Sequence, residues 1–259
     1  VIHTGLLSIT FRQLSPEEII RLVSQAGLQA IEWGGDIHVP HGDVERAKEV
    51  RAWTLAAGID IASYGSYYRV GCSNKNNLTF DQVLQSAVAL QAPAIRVWAG
   101  DQGSAKADDA WWSRVVADAA RIAGLAQAEG IFVDFEYHRN TLTDSRETAV
   151  RLLQEIAHPN IRCNWQPATD LTIEERKQDL RAVLPWLANV HVFQWEPGIR
   201  NPLEDGIAEW SEYAAIIREA TGDRYAMLEF VRGDEPQQFV QDAETLKSIL
   251  SKRISSGHN

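Results

Sequence analysis

The chain has 259 residues and a formal charge of −10, from 25 Lys and Arg against 35 Asp and Glu, with nine Trp and only two Cys. That length suits one large α/β barrel or two small domains, and it can bury a sizeable core. The negative balance argues against nucleic acid or an anionic membrane as a bulk partner, because both need clustered Lys and Arg, and Cys72 and Cys163 are too few for a disulfide framework, so a reducing compartment is expected.

Thr4–Thr10 reads as a first strand. Ser15-Pro16-Glu17-Glu18 is a helix start, with a cap, a proline at the first helical position and acids near the positive end. That helix ends at Gly27. Ala30–Trp33 is a second strand, which opens the turn-rich loop GGDIHVPHGD. A helix over Val44–Ala57 and a strand over Ile59–Tyr64 follow, then the polar segment GSYYRVGCSNKNN. Helix Phe80–Gln91 leads to strand Ala94–Trp98, and helix Asp109–Glu129 ends at Gly130. The fifth strand opens the run IFVDFEYH, residues 131–138. Helix Asp144–Ala157, strand Ile161–Trp165 and a mostly helical Leu171–Leu187 come next. Val190–Phe193 is the seventh strand, followed by the loop QWEPGIRNP. Helix Leu203–Ala220, strand Tyr225–Phe230 and helix Glu235–Lys252 complete the chain, and the tail SSGHN is expected to fray. Eight strand–helix repeats with no composition break predict a single (β/α)8 barrel over residues 1–259. A doubly wound open sheet is the alternative. Neither a Gly-rich dinucleotide fingerprint nor a phosphate loop supports it, so no nucleotide cofactor is expected.

Four successive apolar runs deliver polar side chains near their ends: Glu136 and His138 in the fifth, Gln166 after the sixth, His191 in the seventh and Glu229 in the eighth. In a parallel barrel those ends converge on one mouth, where active sites are built. Any one of them can be a simple strand-end exposure; four in register are harder to explain that way. Glu32, in IEWGG, faces the same mouth as a candidate base or hydroxyl partner, or as a salt-bridge residue. His38, in DIHVPHGD, is a candidate proton-transfer group, and His41 is a weaker one. Arg96 is long enough to reach a substrate anion, or else pairs with Glu136 or Asp134 inside the barrel. Tyr64, Tyr67, Tyr68 and Arg69 are candidates for one pocket wall. Trp33, Trp98, Trp165 and Trp195 stand at strand ends, where they can face a sugar ring or cap the core. Cys163 reads as packed, and no nucleophile-elbow pattern occurs.

The opening SITFRQ, the segment IRVWAGDQGSA, the stretch from Glu136 through YHRNTLTD and the later AHPNIRCNW together resemble the xylose-isomerase-like TIM barrels. Within that superfamily of sugar isomerases, epimerases and abasic-site endonucleases, the likeness runs toward metal-dependent 3-dehydroshikimate dehydratases. The resemblance implies one divalent ion held by Glu136, Gln166, His191 and Glu229. At the Gln166 position the family pattern has an aspartate. The dehydratases likewise have a histidine two residues beyond the strand-five glutamate, at the position of His138. The dehydratases carry a lysine where this chain has Phe193, which would instead press an apolar face on a ligand.

Two carboxylates and an imidazole suit Mn²⁺ or Mg²⁺, with Co²⁺ or Zn²⁺ also compatible, and Gln166 can offer an amide oxygen. The expected function is a sugar isomerase or epimerase working through an enediolate or enolate, with proton transfers assigned to His138 and Glu32. A dehydratase or lyase is the runner-up, and a catalytically silent sugar-binding barrel stands behind it. The partners expected are a small carbohydrate-like substrate and further copies of the chain, with no nucleic acid and no membrane. The opening VIHTGLLSITF has no signal-peptide pattern, although a leader before Val1 is conceivable, and no run approaches the roughly 18 apolar residues of a spanning helix, so a cytoplasmic location is expected.

Overall fold

The helix starts behave as the cap chemistry dictates. The Ser15 hydroxyl accepts from the Glu18 backbone and the Glu18 carboxylate accepts from the Ser15 backbone, which satisfies two orphan donors at the head of α1 (Pro16–Ala26). Gly27, at φ 65°, closes it in the left-handed conformation. Thr79 with Gln82 and Thr172 with Glu175 repeat the device at α3 (Phe80–Leu90) and α6 (Ile173–Val183). The other helices are α2 (Val44–Ala56), α4 (Asp109–Ala128), α5 (Arg146–Ile156), α7 (Ile207–Ile217) and α8 (Pro236–Ser251). The computed structural model describes residues 1–251; the expected tail SSGHN and Lys252 lie outside the described residues.

The strands are β1 (Ile2–Leu7), β2 (Ala30–Gly34), β3 (Asp60–Arg69), β4 (Ala94–Trp98), β5 (Phe132–Glu136), β6 (Ile161–Trp165), β7 (Leu187–Val192), β8 (Gln194–Glu196), β9 (Ile199–Asn201) and β10 (Arg224–Leu228). Eight of them form a closed parallel barrel in the order β1-β10-β7-β6-β5-β4-β3-β2, which excludes the open sheet. The barrel shuts where Ile2–Leu6 pair with Arg224–Leu228. Val1 adds its ammonium to Asp223 at 2.6 Å. Three details differ from expectation. The first strand stops at Leu7, where Ser8–Phe11 turns into a 3₁₀ segment as the Ser8 hydroxyl accepts from the Gly34 backbone at 2.8 Å. The segment GSYYR continues β3 rather than forming loop. The loop QWEPGIRNP holds the antiparallel hairpin β8–β9, turning at Pro197-Gly198.

Strand alternation divides the core in two. Side chains facing the helices join one large apolar cluster, including Ile31, Trp33, Val97, Val133, Phe135 and Trp165. A second, small cluster contains only Leu7, Ile9, Ala30, Ala62 and Met227, packed inside the barrel. Much of the rest of the interior is polar, and part of it is paired internally. Arg162 holds Asp134 in a two-pronged ion pair at 2.8 and 3.0 Å. Asn164 and Asn189 accept from the backbones of Asn189 and Tyr225. Among the described residues, no helix is long and apolar enough to cross a membrane.

Candidate metal centre and cavity

Glu136 ends β5, His191 lies on β7 and Glu229 follows β10 directly, so the strand alternation turns all three into the barrel mouth. Their ligand atoms lie within 4.8 Å of one another, and all three residues are buried. His191 Nδ1 stands 3.7 Å from Glu136 Oε1 and 3.7 Å from Glu229 Oε2. Neither ring nitrogen of His191 has a hydrogen-bond partner. Burial pushes the Glu229 carboxyl well above its ordinary range, and the Glu136 charge adds to that push. Burial likewise depresses the His191 imidazole and keeps it neutral. Orphaned imidazole nitrogens between two crowded carboxylates are costly unless a cation joins them. The donor set fits a divalent ion, and these residues form a candidate site for one.

Glu136 is the most heavily supported of the three. Burial is the largest single influence and would raise its carboxyl, but Arg96, the His191 and His138 rings and the Trp98 N–H together outweigh it and hold the carboxyl below the usual carboxylate range. Its Oε2 accepts from Arg96 and from the Trp98 indole N–H. Its Oε1 accepts from Gln166 Nε2 at 3.1 Å and keeps a lone pair for a cation. The same Gln166 nitrogen donates to the Tyr137 carbonyl at 2.9 Å. Both partners are acceptors, so the amide nitrogen must face them. Gln166 thereby orients Glu136, a role that its reading as an oxygen ligand did not anticipate.

Above the centre opens a cavity of about 840 Å³, whose lining includes Glu136, His138, Gln166, Phe193, Trp195 and Glu229. His138 sits half-buried with its ring stacked on Trp98, centroids 5.1 Å apart. Its Nδ1 lies 2.7 Å from the Arg139 carbonyl, which can only accept, so Nδ1 carries the proton and Nε2 holds the lone pair. Phe193 stacks on Trp195 at 3.9 Å.

Other expected site residues stand elsewhere. Glu32 is buried, accepts from Ser63 at 2.6 Å and from Arg96 Nε at 2.7 Å, and is not on the cavity wall. Arg96 is therefore the internal ion-pair partner of Glu32 and Glu136, rather than a free anion receptor. Gly65 makes room for this pair: a Cβ there would stand 2.6 Å from Arg96 Nη2 and 2.7 Å from Glu32 Oε1. Trp33 and Trp165 are fully buried in the outer cluster, because they alternate with the inward-facing Glu32, Asn164 and Gln166. Trp165 packs on Trp210 and Tyr213 of α7. Tyr64 is buried too, donating to the Val39 carbonyl at 2.8 Å. Tyr68 turns away to Asp118 of α4, whereas Tyr67 and Arg69 both pack on Trp98. His38 is 3% exposed, sits 2.9 Å from the Ser8 hydroxyl and packs edge-on to Trp33, off the cavity. Sequence reasoning missed Arg200 and Phe230 as wall residues. The Pro-Gly turn between QWE and IRN was the available signal for the hairpin that carries Arg200.

Two expected results follow from this geometry. Adding Mn²⁺ or Mg²⁺ to metal-stripped protein at a hundredfold excess over its Kd should stabilise it by about 2.7 kcal/mol, seen as a rise of several degrees in melting temperature. His191→Ala should abolish that rise; a wild type indifferent to Mn²⁺, Mg²⁺, Co²⁺ and Zn²⁺ alike would sink the metal reading. The second concerns His38, whose imidazole is depressed mainly by burial, with the Arg12 charge adding slightly and backbone contacts and Asp36 opposing. A depressed folded value means that the unfolded chain takes up the proton first. Stability from this residue is full above about pH 6.5 and is lost as pH falls. The stability gap between wild type and His38→Asn in urea melts should accordingly narrow from pH 7 to 5; a constant gap would contradict it.

The family of xylose isomerase-like TIM barrels matches this chain over residues 20–249. A 3-dehydroshikimate dehydratase from Bacillus anthracis is 25% identical over 258 residues, covering 87% of this chain and 90% of that protein. Among solved structures, a probable 3-DHS dehydratase of petrobactin synthesis from Bacillus anthracis has a TM-score of 0.79 at 23% identity, over 97% of this chain and 100% of the other. A D-psicose 3-epimerase from Clostridium cellulolyticum H10, solved with D-tagatose, has a TM-score of 0.72 at 18% identity, over 96% and 99%. A barrel from Mycobacterium smegmatis in complex with magnesium has 0.74 at 14%, over 97% and 98%. These structural likenesses concern the fold. With the closed eightfold barrel and the match over residues 20–249, the chain belongs to the xylose isomerase-like TIM barrel family.

Proposed function

We propose that this protein is a divalent-metal-dependent lyase that eliminates an oxygen substituent β to the carbonyl of a polyhydroxylated, sugar-like substrate. The observation that carries this reading is the separation of the two proton-transfer candidates. His138 lies on the cavity wall with a free Nε2 lone pair, whereas Glu32 is committed to Ser63 and Arg96 away from it. Inverting a carbon centre calls for acid–base groups on opposite faces. Elimination can run with one. The likeness to a 3-dehydroshikimate dehydratase supports the same class. The single base on the wall counts against epimerisation, and the likeness to the dehydratase favours elimination over isomerisation.

Glu136, His191 and Glu229 would hold a divalent ion, which would supply Lewis acidity at the mouth. His138 Nε2 takes the proton from the carbon beside that carbonyl. The C–H electron pair becomes the new C=C bond, and the β C–O bond breaks toward oxygen. The leaving oxygen takes up a proton, which His138 can return. Trp98 keeps the imidazole in place by stacking, and the Arg139 carbonyl keeps its tautomer. Phe193 supports a neutral substrate, since it offers a carboxylate neither charge nor proton, and Arg200 is already paired with Asp234 at 2.6 Å.

The test incubates metal-loaded protein in deuterated water with keto-sugars, keto-glycosides and 3-dehydroshikimate. The expected result is release of the β-substituent from a keto-glycoside. Deuterium incorporation with the skeleton retained would move the assignment to isomerase or epimerase. Protocatechuate from 3-dehydroshikimate would contradict the preference for a neutral substrate, and binding without turnover would mark a sugar-binding barrel.

A further inference from the structure

The cavity is larger than one ring needs. At about 840 Å³ it lies toward the upper end of the roughly 300–1,000 Å³ that enclose a drug-sized ligand. It extends from the metal centre outward along the hairpin β8–β9, whose Trp195, Gly198, Ile199 and Arg200 all line it. A single sugar or cyclohexene ring held at Glu136, His191 and Glu229 would fill only part of a cavity of this size.

The outer wall is built and held in place. Trp195 stacks on Phe193, and its indole N–H donates to the Phe230 carbonyl at 3.2 Å. Phe230 lies tilted against it at 5.9 Å. Arg200 spreads over both Trp195 and Phe230, while its charge is taken up by Asp234. Glu196 accepts from Asn201 across the hairpin at 3.3 Å. Such a wall is largely aromatic, with Arg200 offset by Asp234 and Glu196 as its uncompensated charge. The remaining rim charges, Arg139 against Asp144 and Asp170, offer a phosphate or other polyanion no basic cluster. A neutral planar group is what this surface complements.

We propose that the hairpin wall is the subsite for the leaving group, and that this group is a flat, uncharged ring joined through oxygen. The substrate class is then a two-ring keto-glycoside with an aryl-type aglycone, rather than a free monosaccharide or a monocyclic acid. This rests on the elimination reading for the word leaving, although the subsite can be measured without any reaction. Elimination would convert such a substrate into an unsaturated ketone and the free hydroxylated ring, with no water, oxidant or reductant consumed.

Calorimetry on the Mn²⁺-loaded protein compares phenyl β-D-glucopyranoside with methyl β-D-glucopyranoside, neither of which carries a carbonyl or can react. The phenyl compound should bind about tenfold more tightly. Trp195→Ala should reduce that ratio to about twofold or less, with metal content retained. Trp195→Leu keeps apolar bulk without the flat ring and should lose the preference in the same way, which covers a poorly folding alanine variant. Equal affinities in wild type, a preference that survives both variants, or no binding of either glucoside would each overturn the subsite. A phenyl preference together with no elimination from any keto-glycoside would instead sink the lyase reading and leave the aromatic subsite standing.

Discussion

His138→Asn should slow removal of the substrate's carbon-bound proton by about 10²–10⁴-fold, while metal content and melting temperature stay at wild-type values. Asparagine retains an N–H near the position of Nδ1, so it can still donate to the Arg139 carbonyl. It has nothing in place of the Nε2 lone pair. The packing of the ring on Trp98 goes with it, so unchanged metal content and melting temperature are what assign the rate loss to the base. Deuterium exchange from solvent and product formation should fall together, because they share the same proton transfer. Exchange persisting near the wild-type rate would make His138 a positioning residue and return Glu32 to consideration.

Arg96→Met should cost about 3–5 kcal/mol of stability in urea unfolding, the scale for stripping one partner from a buried ion pair. Arg96 is 1% exposed and bridges Glu32 and Glu136, with the Tyr67 ring beside its guanidinium. Without it, two carboxylates remain buried with no cation between them. Adding Glu32→Gln to the variant removes one stranded charge and should recover part of the loss. A cost below about 1 kcal/mol, or no recovery in the double variant, would show that the triad of charges is less coupled than its geometry implies.

The barrel was legible because eight apolar runs alternated with helical ones, some behind glycine stops such as Gly27 and Gly130, and closure leaves such a pattern few other solutions. Boundaries slipped where side chains compete with the ladder, as Ser8 does at the end of β1. The hairpin β8–β9 escaped because its strands, QWE and IRN, are too short to show a period. In the centre, Glu136, His191 and Glu229 announced themselves as polar residues ending apolar runs. The tryptophans illustrate what a strand end alone does not say. Trp98 shares the inward parity of Arg96, whereas Trp33 and Trp165 alternate with Glu32 and Gln166 and face the helices. Counting parity from the charged residue would have separated them. The commitment of Gln166 to orienting Glu136 depends on two acceptors from other parts of the backbone and side chains, which no local spacing encodes.

The barrel's closing seam gives the metal centre a place in time as well as in space. β1 meets β10 across most of the chain, and the contact between Val1 and Asp223 alone spans 222 positions. Contacts of such long range carry the largest loop-closure cost and form late in folding. Glu229 stands one residue beyond that seam, on a strand that pairs with β1 along one edge and with β7 along the other, and its backbone N–H donates to the Val192 carbonyl beside His191. An ion captured there would tie the last strand to β5 and β7, next to the closing join. Its binding free energy would then help to keep the last strand in the ring, so that an ion bound for chemistry would also brace the fold.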